Sequence, residues 1–323
     1  MIEYFRLKPL FGFVLLACVS GLLLLQFSGT EDVKRQSEFE RYYRIYSLSI
    51  PDHLTFAGEA VPMTDFDIRE RYDKEILTNV YWQSQTILMI KRANRFFPVI
   101  EHILKTYEVP DDFKYLAVAE SGLQNVSSPA GALGYWQFLD KTGKMYGLEI
   151  TDEVDERMHI EKSTEAACRY FREAYRQFGS WALVAASYNM GIEGLRKQLE
   201  LQGVSSYYDL YLNTETSRYV LRMLALKQIM EQPERYGFHI AQKDLYPLIP
   251  TREILIDHTI DNFAGFAREY GLNYKTVKIF NPWLRKPLLT VAPGKSYVVR
   301  LPADTNLVAP SGPEGSDTLV PKR

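Results

Sequence analysis

The chain has 323 residues, 46% of them hydrophobic and 24% charged, which is enough for a real core in about two domains plus extensions. A net charge of -2 gives no electrostatic reason to expect nucleic acid as a partner. The 2 cysteines, Cys18 and Cys168, stand in different contexts and the 5 histidines show no HxxxH spacing, so no metal, cofactor or zinc-hydrolase chemistry is expected.

Arg6 and Lys8 precede an uncharged apolar run over residues 9–27, which gives way to Ser28, Gly29 and the acidic pair Glu31-Asp32. A basic flank ahead of an apolar core reads as a signal segment or a membrane anchor, and this run is about long enough to span a bilayer. Leu15-Leu16-Ala17-Cys18 loosely matches a bacterial lipoprotein box, but the apolar character continues through Leu25. An uncleaved anchor within residues 1–30 is therefore preferred to lipidation at Cys18. On either reading the rest of the chain works on the periplasmic side of the inner membrane.

Residues 31–108 read as a helical wrap around the body that follows. Pro51, Gly58 and Pro62 punctuate the first part, and from 74 to 107 Pro98 is the sole breaker. Phe97, Ile100, Ile103 and Leu104 form a helical stripe, which predicts two helices meeting near Pro98. The body proper, residues 109–238, begins with a helix opened by Pro110-Asp111-Asp112 and stopped by Gly122. Ser163 is the expected N-cap of a helix over 164–178 that closes at Gly179. Trp181, Val184, Ala185 and Tyr188 make the next stripe, and a further helix is expected over 217–230. No strand alternation precedes Arg252, so this body is expected to be all-helical. Residues 250–302 then read as strand, helix, helix, strand, and 303–323 as a disordered tail rich in Pro, Gly and Ser. The fold class is thus mainly α, with a small α+β module at the C-terminal side.

Residues 114–138 carry the chemistry. Phe113, Leu116, Ala117 and Glu120 fall at i, i+3, i+4 and i+7, so Glu120 lies on an apolar helix face in the last turn. Desolvation and the negative helix end would both keep such a carboxyl protonated near neutral pH, as a catalytic acid requires. Tyr135, Trp136 and Gln137 would supply a stacking surface and an amide for a sugar. A helix-end hydrogen bond from Glu120 to Ser121 or the loop accounts for the same spacing equally well, and Trp136 is as readily core as platform.

The ordered series ESGLQNVSSPAGALGYWQF, ASYNMG and ETSRYV closely resembles the goose-type lysozyme and lytic transglycosylase superfamily, with further likeness over most of residues 50–235. The resemblance implies a lysozyme-like helical fold and cleavage of peptidoglycan glycan strands between N-acetylmuramic acid and N-acetylglucosamine. Glu120 matches the catalytic glutamate. Ser121, Gln137, Tyr188, Asn189, Glu215 and Tyr219 match substrate-binding positions, with Tyr135 where leucine is more usual. In this family one glutamate acts as acid and then as base, so the product carries a 1,6-anhydro end. A hydrolytic lysozyme of the same fold and a non-catalytic wall-binding scaffold are the alternatives. Asp140, Asp152 and Asp155 follow in sequence without a position opposite Glu120. The C-terminal module resembles a LysM domain, a peptidoglycan-binding unit, through EYGLNYKTVKIFNPWL and PGKSYVVRLP. It departs from that pattern at Asp257-His258-Thr259-Ile260, where a GDT-like turn is usual.

Overall fold

The computed structural model describes residues 33–304, except 35, 39 and 42–44. The expected anchor over 9–27, Cys18, and all but the first two residues of the expected tail lie outside the described residues. Among the described residues no helix is long and apolar enough to cross a membrane. The described residues fall into two units, divided between Ser49 and Ile50. The described helical residues of the first unit carry a Gln36 to Glu40 side-chain bond at 2.8 Å.

The second unit opens with a hairpin, β1 (Leu54–Phe56) and β2 (Glu59–Val61), paired Leu54 to Val61 and Phe56 to Glu59. This corrects the all-helical expectation. The two-residue turn places Ala57 at φ 51, a region that alanine rarely adopts, so the usual Asn-Gly signal is missing from the sequence. The Asp112 carboxylate holds the turn by accepting from Ala57 N–H at 2.7 Å.

Two helices follow, α1 (Phe66–Tyr81) and α2 (Gln83–Thr106). They meet at Trp82, at φ -86 and ψ 52, and Pro98 sits inside α2. The expected break at Pro98 is therefore misplaced. The buried side chains Ala93, Ile100, Ile103 and Leu104 lie on both sides of the proline, and their packing outweighs its one lost backbone bond. The real break is marked by polar groups, with the buried Thr86 hydroxyl donating back across Trp82 to the Asn79 carbonyl.

Helix α3 (Lys114–Ser121) lies at the centre, between α2 and the later helix α8 (Thr214–Glu231). Leu116, Ala117 and Val118 are fully buried, so α3 is enclosed on every side rather than along one stripe. The short α4 (Asp140–Met145) follows the Gly-rich loop. Helix α5 (Ile160–Phe178) begins three residues before the expected cap. Ser163 is buried inside it, and its hydroxyl donates back to the His159 carbonyl at 2.7 Å. Helices α6 (Trp181–Met190) and α7 (Ile192–Gln202) complete the body. Glu59 of the hairpin caps α6, accepting from Ala182 N–H at 3.1 Å and the Ser180 hydroxyl at 2.9 Å.

The C-terminal module has the expected order: β3 (Thr251–Ile256), α9 (Phe263–Glu269), α10 (Tyr274–Phe280) and β4 (Tyr297–Pro302). Its strands are antiparallel, with Thr251 opposite Pro302 and Ile256 opposite Tyr297. The mainly α class with a small α+β module holds.

Candidate active site

Gly122 ends α3 in the left-handed conformation at φ 59, leaving Glu120 in the last helical turn. Its carboxyl faces a cavity of about 440 Å³ that Gln137, Phe138, Tyr188, Asn189 and Glu215 also line. The Tyr219 hydroxyl, arriving from α8, donates to Glu120 Oε1. Burial pushes the Glu120 carboxyl from 4.5 up to about 7; the Tyr219 hydroxyl and the Arg222 charge pull it down, and Glu215 adds to the rise. The negative potential at this carboxyl thus comes from a second glutamate as well as from the position in the helix. Burial first, and Glu120 next, hold the Tyr188 and Tyr219 phenols well above their usual range, so both stay hydrogen-bond donors.

The other predicted residues divide into two groups. Asn189 is oriented by Thr216, whose hydroxyl donates to Asn189 Oδ1 at 2.6 Å, while Asn189 Nδ2 donates to Glu215 Oε1 at 3.1 Å. Gln137, at φ 50, gives its amide hydrogens to the Val126 and Gly134 carbonyls, both at 2.8 Å. That leaves the Gln137 amide oxygen as the group a ligand can reach. Tyr188 donates to the Trp136 carbonyl at 2.8 Å and packs edge-on against Tyr170 and Phe138. It holds the loop as well as lining the cavity.

Ser121 does not line the cavity. Its buried hydroxyl donates to the Tyr135 carbonyl at 2.7 Å, so at this expected substrate-binding position the serine braces the loop from inside. The stacking surface expected from Tyr135 and Trp136 is also absent. Trp136 is fully buried with its indole N–H on Thr164 Oγ1 at 2.8 Å, and Tyr135 faces away from the cavity. Of the acidic residues left without a place, Asp140 pairs with Lys144 at 3.0 Å and Asp155 with Arg157 at 2.6 Å. Neither they nor Asp152 line the cavity. Tyr170, Thr216 and Arg222 escaped the sequence reading. Tyr170 sits in an ordinary helical stripe, and the other two differ from core or surface neighbours only by what they touch.

The described residues 98–210 match the model of the transglycosylase SLT domain, and residues 252–305 match that of the soluble lytic transglycosylase C-terminal LysM-like domain. Curated relatives include membrane-bound lytic murein transglycosylase D from two strains of Escherichia coli, K12 and O6:H1. Each is 30% identical over 240 residues, 72% of this chain and 51% of the relative. The chain thus spans about half the length of these relatives. Among solved structures, the 70 kDa soluble lytic transglycosylase of Escherichia coli aligns with a TM-score of 0.37 at 19% identity, over 52% of this chain and 30% of that one. An inactive mutant of the lytic transglycosylase Slt from Pseudomonas aeruginosa aligns with a TM-score of 0.34 at 16% identity, over 47% and 26%. The chain thus carries a transglycosylase SLT domain ahead of a LysM-like module of the soluble lytic transglycosylase type.

Proposed function

We propose that this chain is a peptidoglycan lytic transglycosylase, with Glu120 as its acid and base. The observation that carries the reading is a carboxyl held up to about 7 by burial, open to a cavity and fixed by a tyrosine hydroxyl. A group at that pKa donates and recovers a proton at neutral pH with little driving force either way. Glu120 protonates the glycosidic oxygen between N-acetylmuramic acid and N-acetylglucosamine as the muramic ring gains oxocarbenium character. The resulting carboxylate then takes the proton of the muramic C6 hydroxyl, whose oxygen closes on the anomeric carbon. The C1–O bond to the leaving sugar breaks, and a 1,6-anhydro ring forms in its place. Intramolecular attack of this kind carries an effective molarity of roughly 10⁵ M or more, which lets it outrun water.

The cavity wall supports the one-carboxylate route. Glu215, the other carboxylate lining it, is exposed and engaged by Asn189, in the role of orienting a substrate-binding amide. Gln137, Tyr188 and Asn189 bind the sugars, and Tyr219 aims Glu120. The glycan strand is the partner, and the C-terminal module adds a second hold on it. The run over 9–27 attaches the chain to the membrane, with the body in the periplasm, in keeping with the relatives' membrane-bound name.

Mass spectrometry of digested sacculi tests this. Anhydro-muramic ends are expected, and reducing muramic ends alone would identify a hydrolase. Sacculi solubilised equally slowly by wild type and Glu120→Gln would leave the wall-binding scaffold.

A further inference from the structure

The C-terminal module is built onto the catalytic body rather than strung from it. The Val154 side chain, 1% exposed, sits within the module's own apolar core beside Phe263, Trp283, Leu284 and Val299. Backbone pairing fixes it on both sides: Asp155 N–H donates to the Trp283 carbonyl at 2.8 Å, and Arg285 N–H to the Glu153 carbonyl at 2.7 Å. The Glu153 carboxylate accepts from Thr290 N–H at 2.7 Å and from its hydroxyl at 3.1 Å.

The same segment holds one wall of the cleft a few residues further on. Arg157, 8% exposed, grips the Asp155 carboxylate with two donors at 2.9 and 2.6 Å. Its remaining nitrogen donates to the Gly131 and Phe138 carbonyls at 3.1 and 3.2 Å. Asn125 Nδ2 reaches the Met158 carbonyl at 3.1 Å. Gly134, at φ 87, presses on the Arg157 carbonyl so closely that a Cβ there would lie 1.9 Å from its oxygen. Both ends and the middle of residues 125–138 therefore lean on residues 157–158, and this stretch presents Gln137 and Phe138 to the cavity.

We infer that residues 153–158 are a strap through which the C-terminal module sets the cleft wall, with Arg157 as the positioning residue at its catalytic end. The role rests on the proposed use of the cleft. Arg157 meets no substrate; it acts through two carbonyls on the placement of Gln137. The module therefore has a part in substrate binding that is separate from any glycan it holds itself.

Two full-chain variants test the strap. Val154→Ala removes methyl groups from the module core and touches nothing in the cleft. Hydrogen exchange read by mass spectrometry is expected to quicken at least threefold in residues 125–138 as well as in 251–302. Quickening confined to 251–302, or no change in either region, overturns the coupling. Arg157→Lys keeps the charge and loses the fork. With soluble uncrosslinked glycan strands, KM is expected to rise at least threefold, kcat to stay within twofold, and the alkaline limb of the pH profile to stay in place. A wild-type KM, or a fall in kcat at unchanged KM, overturns the positioning role. The exchange measurement needs no turnover, so it can fail while the reading of Glu120 stands, and the reverse.

Discussion

Glu120→Gln removes an ionisable group while keeping an oxygen to accept the Tyr219 hydroxyl. In the folded wild type this carboxyl titrates at about 7 instead of 4.5, chiefly because it is buried. The folded chain therefore keeps a proton that the unfolded chain releases as pH passes 4.5. Across that window the folded state binds more protons, so this group's contribution to stability falls as pH rises, and levels off above about 7. At about 1.36 kcal/mol per pKa unit, the ionised carboxylate costs roughly 3 kcal/mol above neutrality, reduced to roughly 2 by the solvent the cleft admits. Glutamine carries no such cost. The variant should match wild type near pH 4, where both side chains are neutral, and exceed it by roughly 2 kcal/mol at pH 8, with a Tm roughly 5 °C higher. Thermal and urea unfolding of both proteins at pH 4, 6 and 8 measure this, and sacculus digestion should fall by roughly a thousandfold or more alongside. A stability difference that does not grow with pH, or that favours wild type at pH 8, would refute a buried, proton-holding Glu120.

Tyr219→Phe deletes a hydroxyl that pulls the Glu120 carboxyl down, so the alkaline limb of the pH–rate profile should move to higher pH. The rate should fall by roughly ten- to a hundredfold, the worth of a charge-assisted hydrogen bond, and a limb moving to lower pH would contradict the assignment. Trp136→Phe loses the indole bond to Thr164 and core volume, costing roughly 2–4 kcal/mol in urea unfolding; a stacking platform would instead raise KM at unchanged stability. Arg218→Met leaves the Glu75 carboxylate, 1% exposed, without the fork that holds it at 2.6 and 3.1 Å. Calorimetry should show a loss of about 3 kcal/mol, since the guanidinium was partly solvated to begin with.

The helix carrying Glu120 was legible because its grammar is local: an acidic first turn, an apolar interior and a glycine stop sit within a dozen residues. The C-terminal module was legible for the same reason, with Tyr274–Phe280 bounded by Asn273 and Asn281. What escaped depends on contacts distant in sequence. The hairpin turn stands on Asp112, far along the chain from Ala57, and supplies no Asn-Gly signal of its own. Ser163 and Thr164 have the look of helix-start residues, yet one bonds back into its own helix and the other takes the Trp136 indole. In the site, residue types announced Glu120 and the Tyr188-Asn189 pair. The division between groups facing the cavity and groups bracing it, such as Ser121 and Trp136, became visible only with partners in place.

Val154 also constrains the order in which this unit can fold. It completes a core whose strands, Thr251–Ile256 and Tyr297–Pro302, are made only after every helix of the catalytic body. A chain emerging from its amino end must hold the segment around Val154 unpaired until the last strand arrives. Closing so long a loop is slow, and the waiting segment offers bare apolar surface and free backbone donors in the meantime. A truncation placed at residue 250, which looks like a natural cut between modules, would make that interim state permanent.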